Sequence, residues 1–406
     1  MERVDKSKRH LKSIKSYSNM TKLAGVLIAA FPILAPYKFL GISVNWLLGG
    51  VCVICHLLKR ATLPITISTK PLILYTAVSM ILSLNGLLIL RNPSNLINAE
   101  IAMAVDLLIY ILLWYYSDID VTMKYADIFG YICCGYAVVQ MIATISGGIV
   151  PLGQLPFLEI SSGWVPEVWG FRFNSLFSEP SYFSIYLLPL FVYHFLKNTW
   201  SKAIIFASFI VLSSSSLGII SVVVVLTLRF FSSSFAKKNK FKFLMIFVMV
   251  IVFFGILMNY IPIMKTFISR SYDKIAEIFN SSSDDGFMED VRLGGYLNLF
   301  DELHIKEQVF GVGNAQLQNY FAEQGVRVYN YSNSFVLSLL NFGLLGFSVF
   351  VIFIGNLFFS SRKEKTFLFW LVLVITLAVD SLLFSYRYYW LVYFVLFSNK
   401  RLENFS

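Results

Sequence analysis

Stretches of apolar residues long enough to cross a bilayer return again and again between residues 23 and 398, separated by short polar segments. A hydrocarbon core about 30 Å thick takes about 20 helical residues. Inside it every backbone N–H and C=O must be satisfied within the segment, which favours helices for a chain without strand-like alternation. We place spans at residues 23–36, 41–58, 71–90, 95–116, 125–146, 182–197, 202–214, 217–231, 243–264, 333–357, 366–384 and 388–399. The expected fold class is an all-α polytopic membrane protein of about 12 transmembrane helices, a single membrane domain over residues 1–406. Composition agrees. With 57% hydrophobic residues, 39 Phe, 22 Tyr and a mean hydropathy of +0.70, the chain is too apolar for a soluble domain and too long for one span. The first run, "LAGVLIAAFPILAP", has the length of a signal-peptide core, but eleven further runs follow and it reads as an uncleaved first span.

The net charge of +10 does not point to nucleic acid, because the basic residues sit in short clusters between apolar runs. With the N-terminus inside, the cytoplasmic segments hold 23 of the 33 Lys and Arg residues, while the short outer loops hold only Lys38, Arg91 and Arg387. That bias expects both termini in the cytoplasm. Between 202 and 231, "LSSSSLG" breaks a run long enough for one long helix or two short ones. Two short helices keep Lys197, Lys202 and the "KKNKFK" cluster on the same side, and one would not. The four cysteines, Cys52, Cys55, Cys133 and Cys134, all fall within spans, so no loop offers a disulfide framework, and "CVIC" reads as helix packing.

Two segments are long enough to build a site, and the topology puts both outside: residues 147–181 and 265–332. The second contains amphipathic stretches expected to fold as short helices over the bundle. No internal repeat of the kind that builds many transporters is visible. The first loop ends in "FRFNSLFSEPSYFS", where Ser178 or Glu179 caps and Pro180 takes the first helical position. Glu179 complements the positive end of the helix dipole, but that effect explains neither Arg172 nor the length of the loop. The longer loop carries Arg292 in "EDVRLGGYLNLF", with Glu289 as a same-helix partner in the structural reading. That loop holds six basic and ten acidic residues, so any anion site there must be built from particular arginines. "DDGFMED" lacks the alternating ligand spacing of a calcium loop, and "GVGN" lacks the lysine and hydroxyl of a phosphate loop. Within the spans, Asp106, Asp380, Asn85 and His56 are costly unless paired, and Arg387, seven residues beyond Asp380, is a structural partner for it. No chain of acids runs across the bundle as a proton-coupled pump needs.

Taken together, "RFNSLFSEPS", an arginine ahead of "GVGN", and "NYSNSFVLSLLNFGLLG" resemble the O-antigen polymerase (Wzy) and O-antigen ligase superfamily. The resemblance covers most of the chain by topology and residues 170–184, 292–314 and 330–346 by motif. It implies a metal-independent glycosyl transfer, without cofactor, on the outer face of a bacterial inner membrane. A glycan on undecaprenyl pyrophosphate passes to a hydroxyl of another lipid-linked repeat unit, for O-antigen, capsule or exopolysaccharide, with a chain-length regulator as a further partner. It also implies that Arg172 and Arg292 hold the pyrophosphate. Fixed guanidiniums suit that task, since negative charge grows there as the anomeric carbon departs. Glu179 is the preferred base for the attacking hydroxyl, with His304, Asp301 and Glu302 competing, and Asn333, His304, Arg327 and Arg387 complete the expected substrate-binding set. Where ligases of the superfamily keep a histidine before the asparagine, this chain has Ser332 before Asn333, which favours a polymerase. A flippase for lipid-linked oligosaccharide is the competing class, but such proteins show two similar halves and short outer loops. A large multi-span glycosyltransferase, with acids in its first outer loop, meets only "YKFLG" here.

Overall fold

The computed structural model describes residues 19–58, 69–89, 94–151, 153–160, 173–232, 299–323, 333–361 and 364–397. Eleven of the twelve apolar runs fall on helices, and the remaining one, 243–264, lies outside the described residues. Four helices are long and apolar enough to cross a membrane: Lys70–Leu88, Ser94–Tyr116, Ile119–Ile145 and Ser334–Ser360. Asn19–Leu34, Val44–Leu58, Pro180–Leu196, Trp200–Leu212, Ser216–Arg229 and Phe367–Val379 are shorter apolar helices. The 202–231 stretch is two helices, with the break at Ser213–Ser215. Large apolar side chains such as Ile54, Leu74, Ile81, Ile101, Ile132 and Ile352 stand exposed along these helices. A water-soluble surface avoids apolar faces of that extent, whereas lipid requires them.

The chain divides into two compact units. One comprises residues 1–131, 155–162 and 291–406; the other comprises 132–154 and 163–290. In the first, the helices Val44–Leu58, Lys70–Ser83, Ser94–Tyr116, Ser334–Ser360, Glu364–Val379 and Tyr386–Phe397 pack on one another. Their core is aromatic. Tyr110 stacks on Tyr389 with centroids 4.5 Å apart, Trp114 lies against Tyr389 and Tyr393, and Tyr75 stacks on Phe353 and Phe384. Aromatic pairs of this kind contribute about 0.5–1.5 kcal/mol beyond area burial, and planar rings also fix the rotation of each helix against its neighbour. A small antiparallel sheet, which the all-α expectation did not include, sits at the end of the Val44–Leu58 helix. Its strands β1 (Tyr37–Phe39), β2 (Ile42–Ser43) and β3 (Glu159–Ile160) run in the order β2-β1-β3, and Tyr37 accepts the Leu155 N–H at 3.1 Å.

The second unit is organised around the Pro180–Leu196 helix, whose residues from Phe183 to Leu196 are all buried. Trp200–Leu212 and Ser216–Ser232 both pack on it. Gly218 permits the close approach: a Cβ there would come within 2.8 Å of the Ser184 hydroxyl and 2.7 Å of Ile210. Ser184 in turn bonds Ser213 at 2.6 Å, so the serines of "LSSSSLG" join the central helix to the break in its neighbours.

Candidate active site

In the second unit the "FNSLFSEP" segment is held rigidly ahead of its helix. Gln140 donates to the Asn174 side chain at 2.9 Å and to the Pro151 carbonyl at 3.1 Å, and accepts the Ser175 N–H at 2.9 Å. The Ser175 hydroxyl donates to the Cys133 carbonyl at 2.6 Å. Ser175 has φ 53°, and Gly153 lies so close to its carbonyl that any side chain at 153 would collide with it. Phe177 is fully buried against Phe183 and Tyr186. The clamp ends at Glu179, which takes the extended conformation of a helix cap while Pro180 supplies the first turn. Its carboxylate makes no bond to the helix N–H groups; it accepts the Ser181 hydroxyl at 3.1 Å and remains half-buried. The side chain is therefore free to face a ligand in a way that a carboxylate committed to backbone capping is not.

In the first unit the start of the Ser334–Ser360 helix meets the turn before Tyr386–Phe397. Asn333 caps its helix by accepting the N–H groups of Phe335 and Val336 at 3.0 and 3.2 Å. The neighbouring Ser334 hydroxyl donates to the Asp380 carbonyl at 2.6 Å and accepts the Leu382 N–H at 2.9 Å. The Asp380 carboxylate accepts the Ser381 N–H at 2.8 Å. Arg387, half-buried in the first turn of its helix, stands next to Tyr386, whose hydroxyl bonds Ser43 at 3.3 Å and faces Asp106. Asp106 itself accepts the Trp46 indole N–H at 2.7 Å. Ser334 thus ties the start of its helix to Asp380, while Asp106, Trp46, Tyr386 and Ser43 form a second polar group in this unit.

The "GVGN" segment answers a different need. The Ser334–Ser360 helix is broken at Gly343, whose φ of 65° and ψ of −172° only glycine adopts readily. The break strands the carbonyls of Leu340 and Asn341, and the N–H groups of Val312 and Gly313 take them at 3.1 and 2.9 Å. A second interruption, at Leu84 between the helices Lys70–Ser83 and Asn85–Ile89, meets the other side of the same loop. Asn85 donates to the Gly311 carbonyl at 2.9 Å, and the Asn314 N–H donates to the Ser83 hydroxyl at 3.1 Å. The bare Gly-x-Gly is therefore a backbone splice between two broken helices.

Of the residues singled out in the sequence, Glu179, Asn333, His304 and Arg387 are placed, while Arg172, Arg292 and Arg327 lie outside the described residues. Asn333 and Arg387 both lie in the first unit, at the starts of the Ser334–Ser360 and Tyr386–Phe397 helices. His304 is an exposed cap on the short Ile305–Phe310 helix, with exposed Asp301 and Glu302 beside it. The four polar residues singled out within spans have partners: Asp106 on Trp46, Asp380 on Ser381, Asn85 on Gly311, and His56 on the Tyr116 hydroxyl at 2.8 Å. Sequence reasoning passed over Gln140 and Glu100, although both are polar residues inside apolar runs and the rule that flagged Asp106 applies to them equally. No curated protein matches the chain. Residues 203–351 match the family model described as O-antigen ligase, a region that includes the serine-rich break, "GVGN" and the helix capped by Asn333. That match supports the O-antigen polymerase and ligase superfamily.

Proposed function

We propose that this protein is an oligosaccharide repeat-unit polymerase of the bacterial inner membrane. It moves a growing glycan from undecaprenyl pyrophosphate to a sugar hydroxyl of an incoming lipid-linked repeat unit on the outer face. The observation that carries the reading is the O-antigen ligase domain at 203–351 combined with Ser332 in the place before Asn333 where ligases hold a histidine. Asn333 is engaged in capping its helix through its side-chain oxygen, a structural role that needs no neighbouring histidine.

In this reaction the bond between the anomeric carbon and the pyrophosphate oxygen breaks while a glycosidic bond forms to the acceptor hydroxyl. The acceptor proton goes to a base, and lipid pyrophosphate leaves with the bonding electron pair. Arg172 and Arg292 receive the charge that grows on the leaving group, where a planar guanidinium makes two parallel bonds to phosphate oxygens. Glu179 receives the proton. Its position directly after the clamped "FNSLFS" segment supports this role, because a base must be held within hydrogen-bond reach of the hydroxyl it serves. Arg387 and Asn333 line the approach of the polar glycan, and His304 and Arg327 extend it.

Purified protein incubated with lipid-linked repeat units tests the proposal directly. A ladder of lengthened lipid-linked glycan is the expected product. Transfer of a finished glycan to a non-polymer acceptor, with no ladder, establishes the ligase reading instead. Labelled lipid crossing a vesicle membrane without lengthening establishes the flippase.

A further inference from the structure

The junction at "GVGN" contains a carboxylate that the glycosyl-transfer reading does not use. Glu100, in the second turn of the Ser94–Tyr116 helix, is nine-tenths buried. Both carboxylate oxygens are sealed from solvent, and neither has a hydrogen bond of full geometry among the described residues. The side chains of Ser83 and Asn314 approach the carboxylate, which directs it into the splice between the two broken helices. Leu96, one turn earlier on the same helix, packs over Gly86 and Gly313 and closes the other wall.

The backbone in this place is rich in oxygen. The Ser83 carbonyl lies 3.0 Å from where a Cβ of Gly313 would stand, and the Val312 carbonyl lies 2.7 Å from where a Cβ of Gly86 would stand. Interrupted helices in a membrane protein can leave carbonyls outside their ladders, and such carbonyls are ligands for a hard cation. One carboxylate among neutral oxygens balances a single positive charge. Among the described residues no three His, Cys, Asp or Glu side chains gather as a divalent metal centre would need. The three strands of backbone approach closely enough that Gly86, Gly311 and Gly313 admit no side chain, which favours a small ion over a large one.

We propose that the pocket formed by Glu100, Ser83, Asn314 and the carbonyls of Ser83 and Val312 is a monovalent-cation site that locks the "GVGN" loop to the two broken helices. Sodium is the ion expected, on size. The bound ion supplies the charge balance that Glu100 lacks and ties together segments distant in sequence, from residue 83 to residue 314. The site is independent of the chemistry proposed above, and its occupancy is read without any substrate.

The test is thermal unfolding of the detergent-purified full chain in sodium, potassium and choline chloride at equal ionic strength, followed by intrinsic tryptophan fluorescence. A melting temperature that rises saturably with sodium, less with potassium and not with choline is expected. Glu100→Gln removes the charge while keeping the shape, and the sodium dependence is expected to vanish in it. Ser83→Ala and Asn314→Ala, milder changes, are expected to raise the half-saturating sodium concentration about tenfold, the loss of one ligand interaction. If Glu100→Gln does not fold, these two variants decide the matter. Identical melting in all three salts, or an undiminished sodium response in Glu100→Gln or in both milder variants, overturns the proposal.

Discussion

Replacing Gly343 by alanine tests the splice at its most constrained point. At φ 65° and ψ −172° an L-residue is strained by about 1–3 kcal/mol. The added Cβ would also collide with the Val309 carbonyl and reach 2.5 Å from the Gly311 N–H, both of them backbone atoms with no rotamer to yield. Relieving that collision pushes the loop away from the helix, at a cost of about 1–3 kcal/mol for overpacking. It also threatens the two bonds from Val312 and Gly313 to Leu340 and Asn341, which are worth about 1 kcal/mol each. The expected loss is about 4 kcal/mol, a large part of the roughly 5–15 kcal/mol that holds a domain folded. Gly355 provides the control, since it lies in the same helix and a Cβ there meets nothing within 4 Å. Alanine at 355 should gain up to about 1 kcal/mol from helix propensity. In thermal unfolding of the detergent-purified chain, Gly343→Ala should therefore melt on the order of 5 °C below the parent and Gly355→Ala at or slightly above it. Equal melting of the two variants would show that the Gly343 break is not under the constraint described and that the loop is not what completes it.

Other perturbations address the proposed chemistry and its supports. Arg172→Ala and Arg292→Ala should each abolish polymer while membrane insertion, followed by fractionation, is unchanged, and lysine at either position should restore little because the two-pronged guanidinium is lost. Glu179→Gln should lower lengthening of lipid-linked glycan at least about a hundredfold if it serves as the base, whereas Ser181→Ala, which deletes the hydroxyl that Glu179 accepts, should leave most activity in the same assay. Asp106→Ala strands the Trp46 indole N–H and should lower stability by about 1–3 kcal/mol, with Asp106→Asn closer to the parent because an acceptor remains. Gln140→Ala severs the Asn174, Pro151 and Ser175 bonds at once and should expose the 173–179 segment to protease by about 2–3 kcal/mol of local opening.

The helices were legible because an apolar run of spanning length has few alternatives in lipid, and Pro180, Pro71 and Asn333 mark helix starts by mechanisms that act locally. The Ser213–Ser215 break was legible in position, and charge alternation across it favoured two helices over one. The β2-β1-β3 sheet was not legible, since strands of two or three residues separated by more than a hundred positions leave no periodicity to read. The site was half legible. Residue type and topology drew attention to Glu179, Asn333 and Arg387, but the neighbours that hold their surroundings, Gln140 for "FNSLFS" and Asp380 for Ser334, lie far away in sequence. The splice is the sharpest case: "GVGN" and "NFGLLG" each carry a glycine that looks like a loop or packing signal alone, and only their meeting shows that one repairs the broken ladder of the other.

That repair bears on why a membrane enzyme of this class would interrupt a good helix. An unbroken Ser334–Ser360 helix would satisfy its own interior backbone groups and would offer the "GVGN" loop no free carbonyl on that side. Breaking it at Gly343 makes two carbonyls available, and a loop that fills them is positioned on that side by backbone geometry, with glycines permitting the approach, while Asn85 and Ser83 hold its other side. The same economy governs the other unit, where Gln140 satisfies both the backbone and a side chain of "FNSLFS" from within a helix. A large, polar, lipid-linked substrate needs a site that faces water at one end and lipid at the other, on segments that cannot themselves be regular helices. Both anchors fix such segments in place through buried polar bonds, which lipid makes costly to break.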